Sequence, residues 1–152
     1  MGDIKLYRMW PWVFGIYEMQ LPHLDHEMVE LFEEYHPVFS QQFFTEKPQQ
    51  FQIIPIEEEI SGQQQALPHE RVSSIIESSQ SFAVFDCICK KEKRLLGEGC
   101  DKPMEVCTAY APIPGVFDNH PHYRAISKEE AKDLLQMAED KALVHLTHNT
   151  AS

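Results

Sequence analysis

Outside residues 87–107 the chain has no cysteine. Cys87, Cys89, Cys100 and Cys107 share 21 of its 152 positions. Positive charge is also scarce: 13 Lys and Arg stand against 24 Asp and Glu, for a formal net charge of −11. That balance excludes the basic footprint that nucleic-acid binding requires. No apolar stretch approaches the ~20 residues of a helical membrane span. There is no internal repeat, and low complexity is confined to the short GQQQ at 62–65. No nucleophile–base pair, glycine-rich phosphate loop or pair of catalytic carboxylates is recognisable, which leaves an enzyme reading without positive support. No targeting signal is visible either. The apolar run in MWPWVFGIYE is interrupted by Pro11 and ended by Glu18, with no small-residue cleavage site after it. Met1-Gly2 does not make a myristoylation motif, because Leu6 stands where Ser or Thr is needed. The chain therefore reads as cytoplasmic.

What is present fits one α+β domain, or one compact core with an appendage, long enough to bury an interior. Charge is uneven: residues 1–80 hold 4 cations and 13 anions (net −9), and residues 81–152 hold 9 and 11 (net −2). Residues 1–50 read as a mainly helical segment packing on a domain formed by 51–152. From Asp25, residues Met28, Leu31, Phe32 and Tyr35 recur at helical spacing, with Pro37 expected to end or kink the helix. FQIIPI (51–56) reads as an edge strand. Pro68 suits a helix first turn, with Val72, Ile75 and Ile76 on the buried side. FAVF (82–85) reads as a buried strand, and strand–helix–strand over this length suggests a parallel crossover. Ser127 and Glu130 form a capping-box pair ahead of Ala131, Leu134, Leu135 and Ala138. ALVHLTH (142–148) reads as a last strand, with His145 as a core histidine. The aromatic MWPWVFGIY run is expected to pack on the domain's own core; a homodimer or larger complex through it is the alternative.

The cysteines follow C-x-C, ten residues, then C-x6-C. Disulfides fit poorly: a cytosolic chain does not keep them, and Cys87–Cys89 would close a strained small ring. Independent core thiols would be scattered through apolar segments, whereas these are flanked by Asp86, Lys90, Gly97, Gly99 and Asp101. A metal site is favoured, and four thiolates suit either zinc or an iron–sulfur cluster. In an extended chain, residues i and i+2 lie ~6.6 Å apart on one face, a spacing easier to place on two irons than on one small ion. Gly97 and Gly99 are expected to offer backbone N–H groups to the cluster, and Lys90 with Lys91, Lys93 and Arg94 either to offset its charge or simply to face solvent on a loop. Pro103 suggests a short helix with Cys100 at its N-terminus and Cys107 further along it. The expected site is thus a four-cysteine loop between a strand and a short helix. His120 and His122 are candidate neighbours of the metal in what otherwise reads as a surface loop.

CICKKEKRLLGEGCDKPMEVC, with ISKEEAKDLLQMAEDKALVHLTHN downstream, resembles a family of 4Fe–4S-binding, ferredoxin-associated proteins of anaerobic bacteria. Cys87, Cys89, Lys90, Gly97, Gly99, Cys100, Pro103, Glu105 and Cys107 match its pattern, as do the PWVFGIYE and IIPI…LPHERVSSII stretches upstream. The resemblance implies that Cys87, Cys89, Cys100 and Cys107 ligate one [4Fe–4S] cluster for one-electron transfer to a redox partner protein. Many members continue into a ferredoxin module with C-x2-C-x2-C-x3-C-P runs. This sequence holds none, so it reads as a short member or as a piece of a longer multi-cluster protein. A structural zinc module and an iron–sulfur redox sensor are the alternatives.

Overall fold

A computed structural model of the protein describes residues 17–45, 51–53 and 72–148. Among the described residues the fold is α+β: a three-stranded antiparallel sheet, a separate two-stranded ribbon and four α-helices. No helix among the described residues is long and apolar enough to cross a membrane.

The sheet is built on β2 (Ser81–Asp86), which lies between β3 (Glu105–Ala111) and β4 (Arg124–Ile126). Its first five residues are all buried, as expected of an apolar run on a central strand covered on both faces. One face carries Phe82, which meets Tyr110 edge-on at 5.8 Å between ring centroids. This face packs on α2 (Val72–Ser78) and α4 (Lys128–Asp140) through a core of Val72, Ile76, Phe82 and Ala131. Leu135 and Ile126 border that core. Ser127 caps α4 by accepting a hydrogen bond from the Glu130 N–H at 3.1 Å, so this half of the capping box forms. At the other end Ala142 adopts φ 52°, and the Leu143 N–H reaches the Ala138 carbonyl at 2.9 Å. This left-handed turn satisfies the last carbonyls of α4 and occupies the start of the expected 142–148 strand.

A second core joins the N-terminal elements to the cysteine region. After a 3₁₀ turn at Glu18–Gln20, Asp25 caps α1 (His26–Thr45) by accepting from the Met28 N–H at 2.9 Å. Tyr17, Leu24 and Val29 pack with Ile88 of α3 (Ile88–Leu95), and Met28, Phe32 and Leu95 border the cluster. Pro37 does not end α1, which runs through it. A proline removes one N–H, and here the apolar contacts of Met28, Val29 and Phe32 precede it while the helix around it is exposed. Of the aromatic N-terminal run, only Tyr17 is among the described residues.

The expected parallel crossover does not form. β1 (Phe51–Ile53) pairs antiparallel with β5 (Leu146–His148), while β2 belongs to the other sheet. The remainder of FQIIPI, including Pro55, and Pro68 lie outside the described residues.

Candidate metal centre

The cysteine segment is not one loop: a helix occupies 88–95, and only the stretch around Cys100 is irregular. Cys87 ends β2 as the N-cap of α3, and its N–H donates to the Met104 carbonyl at 2.9 Å. Cys89 sits in the first turn of α3, so the cation run Lys90, Lys91, Lys93 and Arg94 is helical. Two features account for this helix. Ile88 and Leu95 are seven residues apart and both reach the second core, and Lys, Glu, Arg and Leu are strong helix formers. Nor does Pro103 start a helix. It precedes β3, on which Cys107 lies directly opposite Phe85 of β2. The register shift between Phe85 and Asp86 marks the corner where β2 passes into α3.

Three of the four thiols interact. The Cys87 thiol is pulled down to about 2, first by hydrogen bonding from Cys107 and then from Cys89. The Lys90 N–H and ammonium add smaller contributions in the same direction. No full side-chain hydrogen bond completes the cap, so the Lys90 amide acts as a nearby dipole. Cys107 and Cys89 are driven the opposite way, each chiefly by its contact with Cys87. Because Cys89 is exposed as a residue, contact outweighs burial there. Cys87 is thus the thiol whose ionised form its neighbours favour, and Cys89 and Cys107 are those whose ionised form they oppose. Cys100 is exposed on the loop between α3 and β3. Among the described residues, no three or more His, Cys, Asp or Glu side chains converge in a metal-holding group.

That loop is closely fitted to α3. Gly97 takes φ 77°, and its N–H donates to the Arg94 carbonyl at 3.1 Å while Glu98 N–H reaches the Lys93 carbonyl at 2.8 Å. Both amides are used in a left-handed helix cap, so Gly97 serves the end of α3 and its N–H is not free for a sulfur. A Cβ on Gly99 would stand 2.6 Å from Arg94 Cγ, so this glycine permits the loop to lie against the helix. The Lys90 Nζ donates to the Pro103 carbonyl at 2.7 Å, tying the loop's far end to α3. Charge neutralisation is thus combined with a tether.

Aromatic rings line the same region. Tyr123 stacks on Phe85 with centroids 4.6 Å apart, and His120 stacks on Tyr123 at 4.0 Å. Glu18 raises both the Cys89 thiol and the Tyr123 phenol through its charge, although burial is the larger cause for Tyr123. Tyr123 and Glu18 carried no metal-like spacing in the sequence. His122 is exposed, and its backbone N–H meets His120 Nδ1 at 3.3 Å. Glu105 accepts two bonds from Arg124, at 3.1 and 2.9 Å, and this pairing holds its carboxyl below the usual value. Its role is to brace β3 against β4 across β2. His145 is partly buried and stands 3.8 Å from Glu139, without a hydrogen bond between them.

No known protein family, curated protein or solved structure matches the chain.

The donor set itself bears on a metal. Cys87, which contacts both Cys107 and Cys89, cannot ionise together with them without a cation, because each added charge repels the last. A divalent ion or cluster iron removes that conflict by deprotonating its ligands outright. By donor chemistry Cys87, Cys89 and Cys107 are soft thiols suited to such a centre, with Cys100 as the remaining cysteine of the sequence, although as placed they do not form a metal-holding group.

Proposed function

We propose that the protein is an iron–sulfur protein that passes single electrons to a partner protein. The observation that supports this is the interaction of Cys87, at the N-cap of α3, with Cys107 on β3 and with Cys89 in the first turn of α3. A four-thiolate [4Fe–4S] cluster supplies a reversible one-electron couple when bound. Cys87, Cys89 and Cys107 would be its ligands, and Cys100 the fourth. The Lys90 N–H and ammonium favour the Cys87 thiolate. Phe85 and Tyr123 form an apolar flank, which lowers the local dielectric and so contributes to the potential. The resemblance of residues 87–107 to ferredoxin-associated proteins supports the same reading.

A single structural zinc ion is the second reading, and one observation favours it. The chain turns into α3 at Ile88, so Cys87 and Cys89 are not spread along an extended strand as expected, and their thiols interact. The spacing preference for two irons therefore lapses.

Anaerobic purification followed by iron, sulfide and zinc analysis distinguishes the two. About four irons and four acid-labile sulfides per chain are expected, with a visible spectrum that bleaches on reduction. Cys87→Ala and Cys107→Ala should abolish loading, and Cys100→Ala should lower it. One zinc without sulfide overturns the electron-transfer reading, and absence of both metals from protein purified under iron- and zinc-replete conditions overturns both.

A further inference from the structure

Strand β3 forms one border of the three-stranded sheet, and among the described residues its outer edge meets no other strand. Alternate residues of such a strand direct N–H and C=O groups outward, where they invite pairing with a further chain. Folded proteins usually guard these edges with Lys, Pro or a covering element. Over Glu105–Ala111 there is no Lys, Arg or Pro, and the single charged residue, Glu105, is already paired with Arg124 at 2.9 Å. The register shift beside Asp86 touches only the Glu105 end, so Cys107 to Ala111 form a regular run against β2.

We propose that this edge pairs antiparallel with the same edge of a second copy about a twofold axis at Thr108, joining the two sheets into one. The strand's own sequence selects that occupant, because it is complementary to itself when reversed. With Thr108 opposite Thr108, Val106 faces Tyr110, Cys107 faces Ala109 and Glu105 faces Ala111 of the other copy. β-Branched–aromatic and Thr–Thr pairs are among the favourable cross-strand combinations. The two Glu105 residues fall at opposite ends of the paired strands, ~20 Å apart at ~3.4 Å per residue, which is beyond the ~8 Å Debye length. The chain's charge of −11 is concentrated elsewhere in the sequence: residues 81–152, which supply all three strands, carry only −2. One strand pair is a small contact beside the ~800 Å² per partner of a standard interface, so the dimer is reversible and concentration-dependent. The pairing stands independently of whether the thiols hold iron or zinc.

The test is sedimentation equilibrium of the full chain, purified anaerobically and kept in reductant to exclude disulfide-linked dimers. A reversible monomer–dimer equilibrium is expected. Hydrogen exchange should find the amides of residues 105–111 better protected at high protein concentration than at low. Thr108→Lys and Thr108→Glu each set like charges opposite one another at the axis. Either variant alone should dimerise at least tenfold more weakly with an unchanged circular dichroism spectrum. Mixing the two sets opposite charges across the axis and should restore the dimer, which also shows that each still folds. A wild-type chain that stays monomeric at the highest soluble concentration would overturn the proposal. So would a dimer that both variants leave intact, a mixture that recovers nothing while each variant keeps the wild-type spectrum, or concentration-dependent protection confined to other residues.

Discussion

Replacing Gly99 with alanine isolates the fit between the Cys100 loop and α3. The new Cβ would stand 2.6 Å from Arg94 Cγ and 3.2 Å from Arg94 Cα. Cγ lies one carbon from the side-chain root, so escape needs a new χ1 rotamer, and the crowding against the helix backbone is relieved only if the loop backs away. Overpacking of this kind costs about 1–3 kcal/mol. Gly97→Ala provides the contrast. Its Cβ meets nothing within 4 Å, and the penalty is the left-handed φ of 77° alone, worth about 1 kcal/mol. For a chain of this size each kcal/mol lowers Tm by about 2–4 °C. Urea unfolding of the metal-free protein in reductant measures both variants. Adding Arg94→Ala to Gly99→Ala removes Cγ and should recover at least about 0.5 kcal/mol by a double-mutant cycle, whereas Arg94→Ala with Gly97→Ala should be additive. If Gly99→Ala costs no more than Gly97→Ala, or if removing the Arg94 side chain recovers nothing, the close approach of loop and helix is wrong. The same variant should load metal more weakly if Cys100 is a ligand, since that residue follows directly.

Three further outcomes are expected. Ala142 holds φ 52° at the end of α4, so Ala142→Gly should raise stability by about 0.5–1 kcal/mol in the same urea assay. Ser127→Ala removes the acceptor of the Glu130 N–H and should cost about 1 kcal/mol, with exchange of the first-turn amides accelerated. Glu92 accepts the Tyr17 hydroxyl in a buried site, and burial raises its carboxyl above the ordinary 4.5. The folded state then keeps the proton to higher pH than the unfolded chain. Its contribution is most favourable below 4.5 and declines as pH rises through the window above it. Glu92→Gln should remove that slope from a stability profile taken across the window, and an unchanged slope would refute the assignment.

The parts of the fold legible in the sequence are those set by short-range patterning. Phe82 to Phe85 read as a buried strand because four apolar residues in a row have no solvent face to supply. Val72 with Ile76, and Ala131 with Ala138, read as helix faces from their spacing, and Ser127 announced its helix by a hydrogen bond three residues long. Pairing was not legible. Nothing local to Phe51 or Leu146 says that they lie in the same ribbon, because that choice is made by what the cores leave exposed. The helix of Lys90 to Leu95 was hidden for another reason. Its charges suggested a solvated loop, and the buried side is only Ile88, Glu92 and Leu95 wide. The clustering of four cysteines pointed to the site, but the share of each thiol depends on two elements meeting. Cys107 reaches Cys87 through the β2–β3 register, a contact that spacing along the chain does not encode.

The β1–β5 ribbon has a consequence for the order in which the molecule assembles. Phe51 pairs with His148, so three rungs join segments that enclose the whole three-stranded sheet and its helices between them. Closing a loop of that length from the unfolded state carries a large entropic penalty, and an isolated two-stranded ribbon is marginal in water. Once α2, β2–β4 and α4 have packed, the described part of the intervening chain is already ordered, so less entropy remains to be lost on pairing. The ribbon therefore zips after the cores have formed and is the first unit to come apart. In native-state exchange its amides should report a small sub-global opening, while those of Ala83 and Val84 wait for complete unfolding.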